Sequence, residues 1–141
     1  MKKILVVEDN KDSLGVLGLF ITKIGHQVIK ACNSKEAIIY AEAERPDLIL
    51  MDMDLPDADG IKTTAILKQN PKTSQIPVVA LTAWMSELWR EKALKVGIVD
   101  YLLKPVMPQT LKQTIEKFTK GSLSPADHRS LEFNSPYRMN K

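Results

Sequence analysis

Four short apolar runs, each followed by a polar side chain, constrain the fold of this chain most strongly. The runs are residues 4–7, 48–51, 78–81 and 101–103. The residues that follow them are Glu8-Asp9, Asp52, Thr82 and Lys104. If the runs are strands of one parallel sheet, their carboxyl ends lie at one edge, where open α/β sheets bind ligands. Three acids, a hydroxyl and an ammonium would then converge, which is the composition of a site for a divalent metal ion and phosphate.

The apolar runs alternate with longer amphipathic stretches, a pattern typical of βα units around a parallel sheet. A further strand is predicted at residues 27–31, and the predicted helices span about residues 11–24, 34–44, 61–69, 86–97 and 108–118. Ser34 and Ser86 are candidate helix caps, and Gly25 is placed to stop the first helix. The sequence therefore predicts five consecutive βα units.

Composition adds few constraints to this pattern. At 141 residues, with 44% apolar and 26% charged residues, the chain has the size and balance of one soluble globular domain. The net charge of +3 argues neither for nor against a nucleic-acid surface. Cys32 is the single cysteine, which excludes an internal disulfide and suits a reducing cytosol. No apolar run approaches the roughly 20 residues that a membrane span needs, so we expect a cytoplasmic protein.

The last 21 residues differ in character from the rest of the chain. From Gly121 onward the sequence is polar and lacks periodicity, and it contains Pro125 and Pro136. We expect one domain over residues 1–120 and a flexible tail over residues 121–141 that carries no effector domain. The tail is too short and unpatterned for a helix-turn-helix, so we expect no nucleic-acid binding and an output through protein contacts.

Five motifs, in this order and at these spacings, resemble the receiver domains of two-component response regulators. They are Val7-Glu8-Asp9-Asn10, Met51-Asp52-Met53-Asp54-Leu55-Pro56, Asp59-Gly60, Ala80-Leu81-Thr82-Ala83 and Asp100-Tyr101-Leu102-Leu103-Lys104-Pro105. The resemblance covers residue 2 to about residue 118. It implies a doubly wound (βα)5 flavodoxin-like α/β fold, with parallel strands in the order 2-1-3-4-5 and helices on both faces. Because the tail is too short and unpatterned for a DNA-binding domain, we expect a single-domain response regulator, or a receiver excised from a longer chain.

The resemblance implies that Asp52 is the phosphoacceptor. It would attack the phosphoryl group of a phosphohistidine on a sensor histidine kinase or a histidine phosphotransfer protein, a form of covalent catalysis. Because two anions must approach each other, Mg²⁺ is expected between them, and Mn²⁺ could substitute. The expected metal ligands are Asp9 directly, Glu8 mainly through water, the Asp52 side chain and the backbone carbonyl of Asp54. The protein would be a signalling protein rather than an enzyme, and it would catalyse its own phosphorylation and dephosphorylation.

Three further residues match the switch of this family. Lys104 and Thr82 would contact the phosphoryl oxygens, and Tyr101 matches the aromatic position that responds to the threonine. The bond between Lys104 and Pro105 resembles the cis peptide of the family, at a position where cis is energetically accessible.

Two surfaces are candidates for partner binding. Between Asp12 and Lys23 the first predicted helix carries no charge, although surface helices normally do. In the family a kinase or phosphotransfer protein docks on this helix, and the predicted outward-facing contacts are Leu14, Gly15, Gly18 and Leu19. The alternatives are that the C-terminal tail covers this face, or that the helix is apolar without binding a partner. A downstream target protein is expected to bind the face formed by the fourth helix, fifth strand and fifth helix. We expect the chain to be a monomer or to form a weak dimer through the same face.

Three alternative functions compete with this interpretation. A phosphatase of the haloacid dehalogenase type also uses an Asp-x-Asp pair followed by Thr and Lys, as in Asp52, Asp54, Thr82 and Lys104. Its motif requires Thr or Val where this chain has Pro56, and it places a second acidic pair late in the chain. A flavodoxin-like cofactor protein would need a Ser/Thr/Gly-rich phosphate loop after the first strand. A receiver-like module that is never phosphorylated would be expected to lack Asp52 or Lys104.

Overall fold

Five strands alternate with five helices over residues 1–120, the part of the chain that the computed structural model describes. The elements are β1 (Lys3–Val7), α1 (Lys11–Lys23), β2 (Gln27–Ala31), α2 (Ser34–Glu44), β3 (Leu48–Asp52), α3 (Gly60–Gln69), β4 (Val78–Thr82), α4 (Glu87–Val96), β5 (Ile98–Leu103) and α5 (Pro108–Thr119). The predicted flexible tail, residues 121–141, lies outside the described residues. No helix within residues 1–120 is both long enough and apolar enough to cross a membrane.

The strands form one parallel sheet in the order β2-β1-β3-β4-β5, which confirms the predicted fold. Helices cover both faces, so the central strands β3 and β4 are buried along their whole length and carry continuous apolar runs. Alternate strand residues enter two separate cores. One core packs against α2, α3 and α4, and the other packs against α1 and α5.

The strand register brings the predicted site residues to the same edge of the sheet. Val7 pairs with Met51, Asp52 pairs with Leu81, and Thr82 pairs with Leu103. The residues at or just after these pairs therefore lie at the carboxyl ends of four adjacent strands. This edge is where open α/β sheets bind ligands.

The capping residue predicted for α4 is confirmed, whereas the one predicted for α2 is wrong. Ser86 caps α4 as expected, because its hydroxyl accepts the backbone N–H of Trp89 at 3.1 Å. The cap of α2 is Asn33 rather than Ser34, since the Asn33 side chain accepts the N–H of Glu36 at 2.8 Å. Ser34 is instead the first residue of α2, and its buried hydroxyl lies 2.7 Å from that of Thr63 in α3. A serine at the start of a helix can cap the helix or bind a neighbouring element. Here Asn33 caps α2, and Ser34 contacts α3.

One partly buried lysine, Lys68, joins α3 to the segment just before β4. The Lys68 ammonium donates to the backbone carbonyls of Ser74 at 3.1 Å and Ile76 at 2.6 Å. Its aliphatic stem lies against Gly97, where an added Cβ would stand 3.3 Å from Lys68 Cε. Burial lowers the pKa of Lys68 from 10.5 to about 8.

Lys68 gives the fold a measurable pH dependence. Between pH 8 and 10.5 the unfolded state holds a proton that the folded state has lost, so stability rises with pH across this window. We expect the free energy of unfolding of the wild type to gain about 2 kcal/mol relative to Lys68→Met between about pH 7.5 and about pH 9.5. Urea denaturation at both pH values measures this difference. The exposed Lys72, as Lys72→Met, should follow the wild type, and a Lys68→Met curve parallel to the wild type would contradict the prediction.

Candidate functional site

Three carboxylates meet at the carboxyl edge of the sheet. Glu8 follows β1 and Asp52 ends β3, and both are buried, whereas Asp9 is exposed. One carboxylate oxygen from each lies within 4.8 Å of the others. A group of carboxylate oxygens at this spacing, open to solvent on the Asp9 side, fits a hard divalent cation that retains water ligands. The structure therefore brings together the acids that the sequence assigned to a metal site.

Lys104 connects the two buried acids. Its ammonium lies 3.0 Å from Glu8 Oε1 and 3.2 Å from Asp52 Oδ2, and it is one third exposed. The lysine arrives from the end of β5, and its backbone N–H donates to the Thr82 carbonyl at 2.8 Å, which extends the pairing with β4. The bond between Lys104 and Pro105 is cis, as predicted.

The protonation equilibria reflect one ammonium shared by two buried carboxylates. Burial raises the pKa of Asp52 above the usual aspartate value, and the adjacent Glu8 adds to this shift. Burial by itself would lower the pKa of Lys104, but its hydrogen bond with Glu8 and the charge of Asp52 raise the value above that of a free lysine. Because negative charge exceeds positive charge here, the site favours a further cation.

The loop after β3 places the backbone of Asp54 beside the acids. The Asp54 N–H donates to Asp52 Oδ1 at 3.1 Å, and Asp54 pairs with Asp59 in an isolated antiparallel bridge. The Gly60 N–H closes the loop by donating to the Met53 carbonyl at 3.1 Å. A Cβ at Gly60 would stand 2.9 Å from the Asp52 carbonyl oxygen, so this close approach requires glycine.

Thr82 and Tyr101 occupy the positions predicted for the switch. The buried Thr82 hydroxyl donates to the Trp84 carbonyl at 2.6 Å, which directs it toward the loop between β4 and α4. Tyr101 is fully buried in β5, and its ring meets Trp89 of α4 edge-on, with centroids 6.3 Å apart. The threonine therefore contacts the loop between β4 and α4, and the tyrosine contacts α4 itself.

Two of the four partner contacts predicted on α1 are corrected by the structure. Leu14 and Gly18 are buried, because α1 turns the face of Leu14, Gly18 and Ile21 toward the sheet. A Cβ at Gly18 would stand 2.7 Å from Cε of Lys30 in β2, near the end of an exposed and flexible side chain that can move aside. Gly15 is partly exposed and Leu19 is 61% exposed, so both remain candidate contacts.

A surface that the sequence analysis missed adjoins this helix. A cleft of about 540 Å³ runs from the acids to the first half of α1 and the loop after β5. Its lining residues are Glu8, Asp12, Ser13, Val16, Leu17, Leu81, Lys104, Pro105 and Val106. Val16 is 68% exposed at this cleft and was not among the contacts predicted from the sequence. The uncharged stretch of α1 was the sequence signal that could have revealed this surface.

A second cavity of about 460 Å³ lies on the other side of the acids, between α3 and α4. Its lining residues are Met53, Asp54, Asp59, Ile61, Lys62, Thr82, Ala83, Trp84, Trp89 and Lys92. Both tryptophans of the chain therefore lie beside Asp54 and Thr82, where their fluorescence can report events at the site.

Comparison with known proteins gives one consistent result. The sequence model of the response regulator receiver domain matches residues 4–116. Protein PilH of Pseudomonas aeruginosa is 36% identical over 121 residues, which are 86% of this chain and 100% of PilH. The polar-differentiation response regulator DivK of Brucella anthropi is 33% identical over 117 residues, which are 83% of this chain and 95% of DivK.

A solved structure agrees with these relatives. The receiver domain of a sensor histidine kinase from Pseudomonas aeruginosa has a magnesium ion coordinated in its active-site cleft. It matches this chain with a TM-score of 0.77 and 32% identity, over 84% of this chain and 97% of that domain.

Proposed function

The chain belongs to the family of response regulator receiver domains, and we propose that it accepts a phosphoryl group on Asp52 from a histidine kinase or a histidine phosphotransfer protein. The observation that carries the proposal is the position of the Lys104 ammonium, 3.2 Å from Asp52 Oδ2 at the carboxyl edge of the sheet. A buried carboxylate with one oxygen beside a cation, next to two further acids, has the geometry of a phosphoacceptor.

These contacts support phosphoryl transfer to Asp52. A carboxylate oxygen of Asp52 forms the new bond to phosphorus as the bond from phosphorus to the imidazole nitrogen of the donor breaks. The imidazole leaves with the electron pair and takes a proton. Lys104 stabilises charge on the phosphoryl oxygens, and the Asp54 N–H holds the other Asp52 oxygen at 3.1 Å, which fixes the carboxylate plane. Positioning and charge stabilisation supply most of the catalysis in such transfers.

The residues present fit a magnesium ion. We propose Asp9, the Asp52 side chain and the Asp54 carbonyl as direct ligands, with Glu8 acting mainly through water. When bound, Mg²⁺ neutralises negative charge between the carboxylates and the incoming phosphoryl group. Glu8 is already occupied by Lys104 at 3.0 Å and accepts the Asn10 N–H at 3.2 Å, which supports an indirect role.

Phosphorylation would be sensed by Thr82 and Tyr101. In the structure Thr82 donates to the Trp84 carbonyl, so a phosphoryl oxygen on Asp52 competes with that carbonyl for the hydroxyl. A turn of Thr82 toward the phosphoryl group would release the loop between β4 and α4. Tyr101 packs edge-on against Trp89 of α4, and we propose that both rings then rearrange and alter the face of α4, β5 and α5. We propose this face as the contact surface for a downstream target or a weak dimer.

One experiment separates this function from a phosphatase of the haloacid dehalogenase type. The protein is incubated with acetyl phosphate and Mg²⁺, and both phosphate release and intact mass are followed. A receiver gains one phosphoryl group per chain and loses it slowly. It does not turn over a phosphomonoester such as p-nitrophenyl phosphate. Sustained phosphomonoester turnover that depends on Asp52 would contradict the proposal.

We propose that the phosphodonor docks on the exposed apolar side of α1. Val16 and Leu19 on α1 are exposed apolar side chains, and Met107 after β5 is half exposed. Val16 lines the cleft that leads to Lys104 and Glu8, Leu19 lies about one turn further along α1, and Met107 directly follows Val106 of the cleft lining. An exposed apolar surface of this kind beside a reactive site is typical of a protein contact.

We expect Leu19→Glu to slow transfer from a phosphorylated donor by about tenfold or more, because it places a charge in a desolvated contact. Phosphorylation by acetyl phosphate should stay unchanged, since the small donor needs no protein contact. Ile39→Glu on α2 is the matched control, since Ile39 is 50% exposed and lies on another helix. Equal transfer rates for Leu19→Glu and Ile39→Glu would reject this docking surface.

A further inference from the structure

Asp57 reaches from the loop after β3 to the start of another helix. Its Oδ1 accepts the backbone N–H of Ser34 at 2.8 Å, and its Oδ2 accepts that of Lys35 at 3.0 Å. These are the first two residues of α2, where N–H groups lack partners within the helix and the helix dipole favours an anion. The hydrogen bonds from Ser34 and Lys35 hold the pKa of Asp57 below its usual value.

The helix does not depend on Asp57 for its own cap. Asn33 already accepts the N–H of Glu36 through its side chain, and its carbonyl accepts the N–H of Ala37 at 3.0 Å. Asp57 is therefore a second cap, contributed from a distant part of the sequence. Its two hydrogen bonds to α2 therefore mainly restrain the loop that contains Asp57.

That loop, residues 53–59, is held at two places. At its base, the Asp54–Asp59 bridge joins its two ends, and the Thr63 hydroxyl of α3 donates to the Asp59 carbonyl at 2.9 Å. Near its tip, Asp57 binds α2. The two anchors are themselves connected, because the Ser34 and Thr63 hydroxyls lie 2.7 Å apart in the buried contact of α2 with α3.

We propose that Asp57 is a positioning residue for the metal centre, which it serves by tying this loop to the N-terminus of α2. The tie holds the Asp54 backbone where its N–H reaches Asp52 and its carbonyl can serve as a metal ligand. This inference rests on the proposed function, because it assigns a purpose to the Asp54 carbonyl. The side-chain hydrogen bonds of Asp57 go to the start of α2, so Asp57 acts on the metal centre through the loop.

Loss of Asp57 should weaken metal binding without unfolding the domain. Groups that orient metal ligands typically contribute about 10-fold to 100-fold in affinity, so we expect Asp57→Ala to raise the Kd for Mg²⁺ by about tenfold. Asp57→Asn should have a smaller effect, because its amide oxygen still accepts one of the two N–H groups. Asp47→Ala is the matched control, since Asp47 is an exposed aspartate that accepts the Lys3 N–H at 2.8 Å at the opposite edge of the sheet.

Two measurements test the proposal. Tryptophan fluorescence titrated with MgCl₂ gives the Kd, and amide hydrogen exchange of the metal-free protein gives the protection of Ser34, Lys35 and Asp54. We expect faster exchange at all three amides in Asp57→Ala, and wild-type exchange at them in the control. Chemical denaturation of each variant separates a change in global stability from a change confined to the loop.

The two arms distinguish failure of this proposal from failure of the proposed function. Faster exchange at Ser34 and Lys35 with unchanged exchange at Asp54 would make Asp57 a helix cap only and would overturn the proposal. An unchanged Kd in Asp57→Ala would overturn it as well. A wild-type protein that binds no Mg²⁺ would overturn the metal centre of the proposed function and the assigned purpose of Asp57, whereas the exchange at Asp54 would still show whether Asp57 holds the loop.

Discussion

Asp52→Asn is expected to abolish phosphorylation. An amide oxygen is a poor nucleophile, so incorporation from acetyl phosphate or from a phosphorylated donor should fall by on the order of 10³-fold or more. The domain should still fold, and at neutral pH it should be at least as stable as the wild type. Burial raises the pKa of Asp52, which means that its charged form is costly in the folded state, and asparagine removes that charge.

Intact-mass spectrometry of the phosphorylated fraction, together with urea denaturation, measures both effects. Asp47→Asn removes the same charge from an exposed position at the opposite edge of the sheet and should phosphorylate at the wild-type rate. Wild-type incorporation into Asp52→Asn would show that another residue is the acceptor.

Lys104→Met is expected to separate phosphorylation from metal binding. Removal of one preorganised donor to a developing anion typically costs about 10²-fold to 10³-fold in rate, so phosphorylation by acetyl phosphate should slow by that amount. Mg²⁺ should bind more tightly than to the wild type, because Glu8 and Asp52 lose the ammonium that lies 3.0 and 3.2 Å from them. Methionine keeps the apolar volume of the lysine stem.

Initial rates of phosphorylation and a fluorescence titration with MgCl₂ test both halves of this prediction. Lys112→Met on the exposed side of α5 is the control for removal of one lysine charge. If Lys104→Met were phosphorylated at the wild-type rate, its ammonium would have no role in the transfer. Loss of Mg²⁺ binding in this variant would contradict the arrangement of charges at the site.

Much of the fold could be predicted because each strand carries its own signal. The central strands β3 and β4 are covered on both faces, so each is a continuous apolar run that ends abruptly at a polar residue. Gly97 and Pro108 mark helix boundaries where the sequence placed them. The core of the site was predictable for the same reason, since Glu8, Asp52 and Lys104 lie at or directly after the ends of strands, and formation of the sheet alone brings them together.

The remainder depends on contacts between segments that are distant in the sequence. Asp57 binds the start of α2, and no local pattern around it reveals that partner. The face that α1 turns inward was misjudged at Leu14 and Gly18, because a helix of apolar and small residues has no polar side to orient it. The direction of the Thr82 hydroxyl also depends on the path of the loop that supplies the Trp84 carbonyl.

The most direct test of the central claim is chemical trapping of the phosphorylated residue. The wild-type protein is treated with acetyl phosphate, with Mg²⁺ or with EDTA, and then reduced with borohydride, which converts an aspartyl phosphate to homoserine. Peptide mass spectrometry then locates the change. We predict homoserine at position 52 in the Mg²⁺ sample and none in the EDTA sample. Reduction at any other acid, or equal trapping without Mg²⁺, would contradict the account.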